Sequence, residues 1–368
     1  MCNFTEIILI MQKQFLQFLV LILFVTSCVP PRKSNFDSLQ LHFLQEKIIP
    51  PNVKFNNTIV GGLSSLDYAK NRFYAISDDK KNPRYYQLKI DVNTKDSIKI
   101  NNVIPIKIKE DVDPESLRFD TIDNTFYWSS EGNIRKDISP AIFKMDTLGN
   151  ILKKLPTLTM FQANNGVRHN GSFEGLTLDR NKKSIWLAME LPLKQDGDEP
   201  KLTQGKYPVR ISKLNKKTGK LEAQFAYLLD KIPLDSKPSG KFTVNGVPGI
   251  LAVDATHFLV LERAYASGYK NGGNTVKIYL IDIKNATDIS GIKSLRKAKY
   301  KPVKKTLIFN FESIRNQLKN NIVDNIEGIT FGPKLKNGNR SLLVISDDNF
   351  RKFNDQLQQI IIFEVEID

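Results

Sequence analysis

Glu174 and Glu190 stand sixteen residues apart, and Glu115 and Glu131 repeat that spacing. In each case an apolar run follows the first acid, a polar turn interrupts it, and a second apolar run stops at the second acid. A hairpin returns the end of its second strand to the start of its first, so each pair of carboxylates shares one edge of its sheet. Gly62 and Asp78 keep the spacing without the first acid, and Glu327 with Asp347 and Asp348 keeps the arrangement across a longer turn. Carboxylates gathered in a small, partly desolvated space cannot all stay ionised unless protons, arginines or a metal neutralise them. Oxygen donors, with Asn170, Asn245, Asn325 and Asn349 close by and no Cys or His cluster, suit a hard cation. Calcium, which accepts irregular geometry, is preferred over magnesium. The candidate metal ligands are Glu115, Glu131, Glu174, Glu262, Glu327, Asp347 and Asp348. Read as a structural feature instead, each acid caps a strand and pairs with a turn lysine.

Arginines flank the same places: Arg84, Arg118, Arg168, Arg263 and Arg351. A guanidinium grips phosphate or carboxylate through two parallel donors, so Arg168, Arg263 and Arg351, with Asn349, are candidate substrate-binding residues. His169, in NNGVRHNGSFEG just before the clearest acidic hairpin, is a candidate general base beside Glu174 and Glu190, the candidate catalytic carboxylates. His42 and His257 read as structural. The chain has no G-x-S-x-G elbow, P-loop, dinucleotide fingerprint or HExxH helix, which leaves metal-activated water as the most economical chemistry.

These residues recur because their surroundings recur. Copies of one strand–turn–strand unit begin at residues 61, 114, 173, 247 and 326. Self-similarity at this period, with strand content, predicts a β-propeller of four-stranded blades. Third strands are expected at residues 84–91, 141–147, 209–215, 276–283 and 359–367, and fourth strands at 97–106, 221–230 and 304–313. The last copy lacks a fourth strand, so residues 39–48 are expected to supply it and close the ring. Five blades are counted, with room for a sixth after Glu190 or Arg263. The fold class is all-β.

At the N-terminus, Lys13 precedes an apolar run from Phe15 to Val25 and then Val25-Thr26-Ser27-Cys28. The run is short for a membrane span and matches a cleavable export signal. The Val-Thr-Ser-Cys ending resembles a bacterial lipobox, which implies cleavage before Cys28 and lipidation of its thiol. The organisation expected is therefore a signal peptide over residues 1–27, a tether over 28–36 and a propeller over 37–368. The protein is then anchored in the cell envelope, with the outer membrane preferred, and needs no disulfide. The formal charge of +15 comes from lysines spread over turns without interleaved aromatics, which speaks against nucleic-acid binding. A monomer acting on a small anionic or ester substrate, attached to the membrane only through its lipid, is the expectation.

Several ordered segments, NGSFEGLTLD, IWLAMELPLKQDG, GVPGILAVDATHFLVLERAY, KIYLIDIKNATDIS, NIEGITFGPKL and LLVISDDNF, closely resemble the bacterial family described as having the esterase-like activity of phytase, or phytase-like proteins. The resemblance covers about residues 55–368. It implies an exported propeller that hydrolyses phosphate or carboxylic esters. The family's motif acids fall on Glu174, Glu190, Glu262, Glu327, Asp347 and Asp348, and its arginine on Arg263. Two classes of function follow: a metal-dependent ester hydrolase, or a non-catalytic surface propeller that binds an anionic ligand or partner around a structural calcium.

Overall fold

Apolar runs of six to ten residues, broken by turns rich in Asn, Asp and Gly, fold back on themselves as antiparallel hairpins. The computed structural model of the chain describes residues 39–95, 98–351 and 356–367. The signal peptide, Cys28 and the tether lie outside them. Residues Leu39–Glu366 form one compact unit.

The described residues contain five four-stranded antiparallel sheets; in four of them the strands follow sequence order from the axis outward, and in the fifth the outermost strand comes from the beginning of the described residues. Their inner strands are Leu63–Ala69, Pro114–Asp120, Phe173–Leu178, Thr243–Ala252 and Ile326–Lys334, in blades 1 to 5. Neighbouring inner strands touch all the way round, blade 5 against blade 1 included. The sixth blade for which the sequence leaves room does not form. The long stretch after Glu190 is instead an elaborated loop, and that after Arg263 includes residues 284–303, which lie along the outer strand of blade 3. The outer strand of blade 5 is Gln40–Ile49, paired antiparallel to Gln358–Glu366, so the two ends of the chain close the ring.

Blades pack face to face through interlocking side chains. Between blades 1 and 2, Tyr74 stacks on Phe119 at 5.5 Å and meets Phe126 edge-on at 5.0 Å. In blade 2, Trp128 stacks on Phe143 at 4.5 Å. Offset and edge-to-face contacts of this kind add about 0.5–1.5 kcal/mol each to the area they bury.

Along the axis the inner strands are joined by one side chain. Arg118, on the inner strand of blade 2, donates to the carbonyls of Leu66 (2.8 Å), Leu176 (2.7 Å), Ile250 (3.2 Å) and Ile329 (2.9 Å). These carbonyls come one from each of the other four blades. Asp67, 3.3 Å away, supplies the counter-charge and also accepts from the amide of Phe119. Arg118 is therefore not part of an anion clamp, as its place beside the acids suggested; its donors are consumed by the backbone, and burial lowers its pKa.

Replacing Arg118 with Met leaves those carbonyls without its donors and Asp67 without its counter-charge, and should cost about 3–5 kcal/mol of stability in chemical denaturation. A loss below about 1 kcal/mol would remove Arg118 from this role.

Candidate acidic site at the propeller mouth

Every inner strand carries a β-bulge near its start. The residues left out of the ladder are Ser64, Glu115 with Ser116, Glu174, Val247 with Pro248, and Glu327. A bulge turns its extra side chain away from the regular pleat, so Glu115, Glu174 and Glu327 are released together at one end of the axis. Just above them, the last residue of each second-strand edge is fixed by the backbone: the amides of Asp78, Glu131, Glu190 and Asp347 bond to the carbonyls of Gly62, Asp113, Ser172 and Asn325 at 2.8–2.9 Å. In blade 4 the equivalent pairing is Gly246 with Arg263. Four acids and one arginine therefore ring the mouth.

This register revises the sequence alignment in two blades. Blade 1 turns in two residues, between Ala69 and Arg72, where blade 2 uses four. Ser64, and not Gly62, therefore occupies the place of Glu174, and Gly62 matches Asp113. In blade 4 Arg263 takes the ring position assigned to Glu262. Successive side chains of a strand face opposite ways, so Glu262 points away from the mouth. There it accepts from the Tyr227 hydroxyl (2.5 Å), the Asn245 amide (3.1 Å) and the backbone of Asp230 (3.2 Å), and pairs with Lys305. Glu262 is a bonded partner inside the protein and not a metal ligand of the mouth.

Two groups of carboxylates converge. Oxygens of Asp113, Glu115 and Glu131 lie within 4.8 Å of one another, as do those of Glu131, Glu174 and Glu190. Glu131 is held by the amide of Ser172 at 2.5 Å. Glu190 lies against Gly246, where a Cβ would stand 2.5 Å from its Cγ, and reaches Arg263 at 3.3 Å. Arg263 bridges to Glu327, also at 3.3 Å, and Glu327 accepts from Asn325 at 2.8 Å. Glu174 is 7% exposed, and its carboxylate has no hydrogen-bond partner among the described residues.

Burial, reinforced by neighbouring acids, pushes these carboxyls up. Glu174 and Glu115 rise well above their ordinary value. Glu131 reaches about 8 through burial and Glu190. Glu327 reaches about 7 through burial, with Arg263 opposing. Asp347 rises through burial, Asp78 and Glu327. An all-carboxylate donor set, with Glu174 lacking any protein donor, fits a hard cation.

The other predicted residues sit apart from these two groups. Asp348 turns to blade 1 and accepts from the amides of Gly62 and Phe350. Asn349 and Arg351 follow in a segment where three successive residues have φ of 47°, 50° and 57°. Arg168 is engaged by the carbonyls of Pro192 and Gly197 and by Glu199, so it clasps the loop after Glu190 and is not a free anion clamp. His169 is exposed on the rim; slight burial and then Arg135 and Lys80 hold its pKa down. Lys80, paired with Asp113, is a mouth residue that sequence reasoning missed, as is Asp113 itself. The signal for Asp113 was present: it directly precedes the repeat copy that begins at Pro114.

Set beside known proteins, residues 58–350 match the model of the Phytase-like family, described as esterase-like activity of phytase. No curated protein matches. Solved structures of similar fold include the catalytic domain of the Coprinopsis cinerea GH62 α-L-arabinofuranosidase (10% identity, 88% of this chain and 97% of that one, TM-score 0.45). Native Bacillus subtilis arabinanase Arb43A (13%, 82% and 94%, 0.40) is another, as is a member of the DUF4221 family from Bacteroides vulgatus (8%, 90% and 98%, 0.39). Likenesses this remote say nothing about chemistry.

A carboxyl whose folded pKa lies above its unfolded one binds more protons when folded, so it stabilises the protein as pH falls through that range. With chelator present, thermal stability should therefore rise as pH falls from 8.5 to 6.5, through the values near 8 and 7 of Glu131 and Glu327. Calcium should flatten that dependence. Melting curves at the two pH values, with and without calcium, check both; stability that rises with pH in chelator would contradict the assignment.

Proposed function

The chain belongs to the Phytase-like family, described by the esterase-like activity of phytase, and from that membership we propose that it is a metal-dependent hydrolase of phosphate or carboxylic esters working at the acidic mouth. The observation that carries the reading is the convergence of Glu131, Glu174 and Glu190, their oxygens within 4.8 Å, above an axis that Arg118 closes. With Arg118 occupying the axis below them, these carboxylates can meet a substrate only from the mouth side.

Calcium is the cation this donor set favours, held by Glu131, Glu174 and Glu190 or by Asp113, Glu115 and Glu131. When bound it supplies polarisation of a substrate oxygen. The chain's own groups supply the rest. Glu174, with no hydrogen bond and a pKa raised by burial and by Glu131 and Glu190, is the carboxylate best placed to take a proton from water. Arg263 stays charged because Glu190, Glu327 and Glu174 outweigh its burial, and it presents a fixed positive charge toward a substrate anion. His169, on the rim with a depressed pKa, is neutral at pH 7 and accepts or returns a proton at the exposed edge. Asn349 and Arg351 on the blade 5 side complete the substrate contacts in this reading.

The remainder of the reading concerns placement. The N-terminal pattern supports export, lipidation at Cys28 after removal of residues 1–27, and a monomer held at the cell envelope, in the outer membrane by preference. One observation favours a second function. Glu131, Glu174, Glu190 and Asp347 are all deeply buried, which suits a cation fixed as the floor of an anion-binding surface, with no turnover.

The two separate in one assay. The purified protein is offered an aryl phosphate and an aryl acetate, with calcium or with chelator, beside Glu174→Gln. The hydrolase reading expects turnover that chelator abolishes and that Glu174→Gln lowers by about a hundredfold or more. Folded, calcium-loaded protein that turns over neither substrate supports the binding surface instead.

A further inference from the structure

The mouth is not electrically symmetric. Toward blades 5 and 1 the acids are hydrogen-bonded within the protein: Glu327 to Arg263 and Asn325, Asp347 to the amide of Asn349, and Asp348 to those of Gly62 and Phe350. Toward blades 2 and 3, five carboxylates gather: Asp113, Glu115, Glu131, Glu174 and Glu190. Among the described residues, ion pairs reach only the two ends of that row, Lys80 on Asp113 and Arg263 on Glu190. In the middle, Glu174 is more than nine-tenths buried with no partner, and Glu131 has one amide.

Ionised, as ligands of a metal must be, these five carboxylates and Glu327 face two basic side chains, which leaves four negative charges. Leaving them unbalanced in a desolvated pocket is costly. One divalent cation removes half of the excess; two remove all of it. The geometry offers two places, since the carboxylates form two triads, not one cluster, each with its oxygens inside 4.8 Å and each containing Glu131.

We propose that the mouth binds two divalent cations side by side across blades 2 and 3, one in each triad, with Glu131 common to both. The inner ion lies among buried acids. The outer ion has half-buried Glu115 and the largely exposed Lys80 beside it, so it is the one open to a ligand from solvent. Lys80 occupies Asp113 in the metal-free protein and is released toward that ligand when the ion enters. This rests on the cation-site part of the function proposed above and not on hydrolysis, so it stands or falls by binding alone.

The test is calcium titration of the chelator-stripped protein, by calorimetry and by intact-protein mass under native conditions, with circular dichroism confirming that each variant is folded. Wild type should take up two ions per chain. Asp113→Asn should keep one, Glu190→Gln should keep one, and Glu131→Gln should weaken both at least tenfold. A wild-type stoichiometry of one or none overturns the proposal. So does a Glu131→Gln variant that loses no more than Asp113→Asn does. Two bound ions in a protein that hydrolyses nothing would sustain this inference while removing the hydrolase reading.

Discussion

The whole molecule is organised around one guanidinium. Arg118 gathers a carbonyl from each of the other four blades and one carboxylate, Asp67, onto a single planar group. Carbonyls at the inner edge of a propeller point at one another with no strand beyond to satisfy them, and a buried acceptor without a donor is expensive. One arginine, with five donors in a fixed fork, answers that need for the ring, and no other side chain has the donor count to do so. By filling the axis it also makes the space above it a cup and not a channel. The acids of the mouth then face a protein floor, which is why burial dominates their pKa shifts.

Against that floor, the bulges decide what the cup contains. An irregularity at the same place in each inner strand frees one or two residues per blade, and the residue at the position of Glu174 varies: Ser64, Glu115, Glu174, Pro248 and Glu327. The ring above varies less, with acids in four blades and Arg263 in the fifth. A fivefold architecture has thereby become a polar site with a direction. The two carboxylate triads lie over blades 2 and 3, acids hydrogen-bonded within the protein lie over blades 5 and 1, and the break falls at blade 4, where Gly246 lets Glu190 lie across to Arg263.

Much of this was legible in the chain, and the failures have simple causes. Hairpins, blade number and ring closure follow from period-two patterning and from a last repeat that lacks its outer strand. Glu174, Glu190, Glu131 and Glu115 were legible because constant hairpin length converts sequence spacing into position. Where the length changed, the reading slipped: a turn two residues shorter hid Ser64 behind Gly62. Where a bulge shifted the pleat, a slip of one residue exchanged Glu262 for Arg263 and moved an acid to the other face. Arg168 looked available because sequence does not show which carbonyls a loop will bring to it. Arg118 was beyond any local reading, since its partners are separated by up to 211 residues and meet only when the ring exists.

The strand Gln40–Ile49 finds its partner, Gln358–Glu366, only when all five inner strands lie between them. The first part of the propeller to appear is thus the last to be used. A chain delivered N-terminus first holds this strand unpaired until Gln358–Glu366 follows, while four blades assemble beside it with an open edge. Closure over so long a separation is slow, and open edges recruit foreign strands. Addition of Gln358–Glu366 is the event that seals the ring, and a product that stops short of it carries an edge that nothing covers.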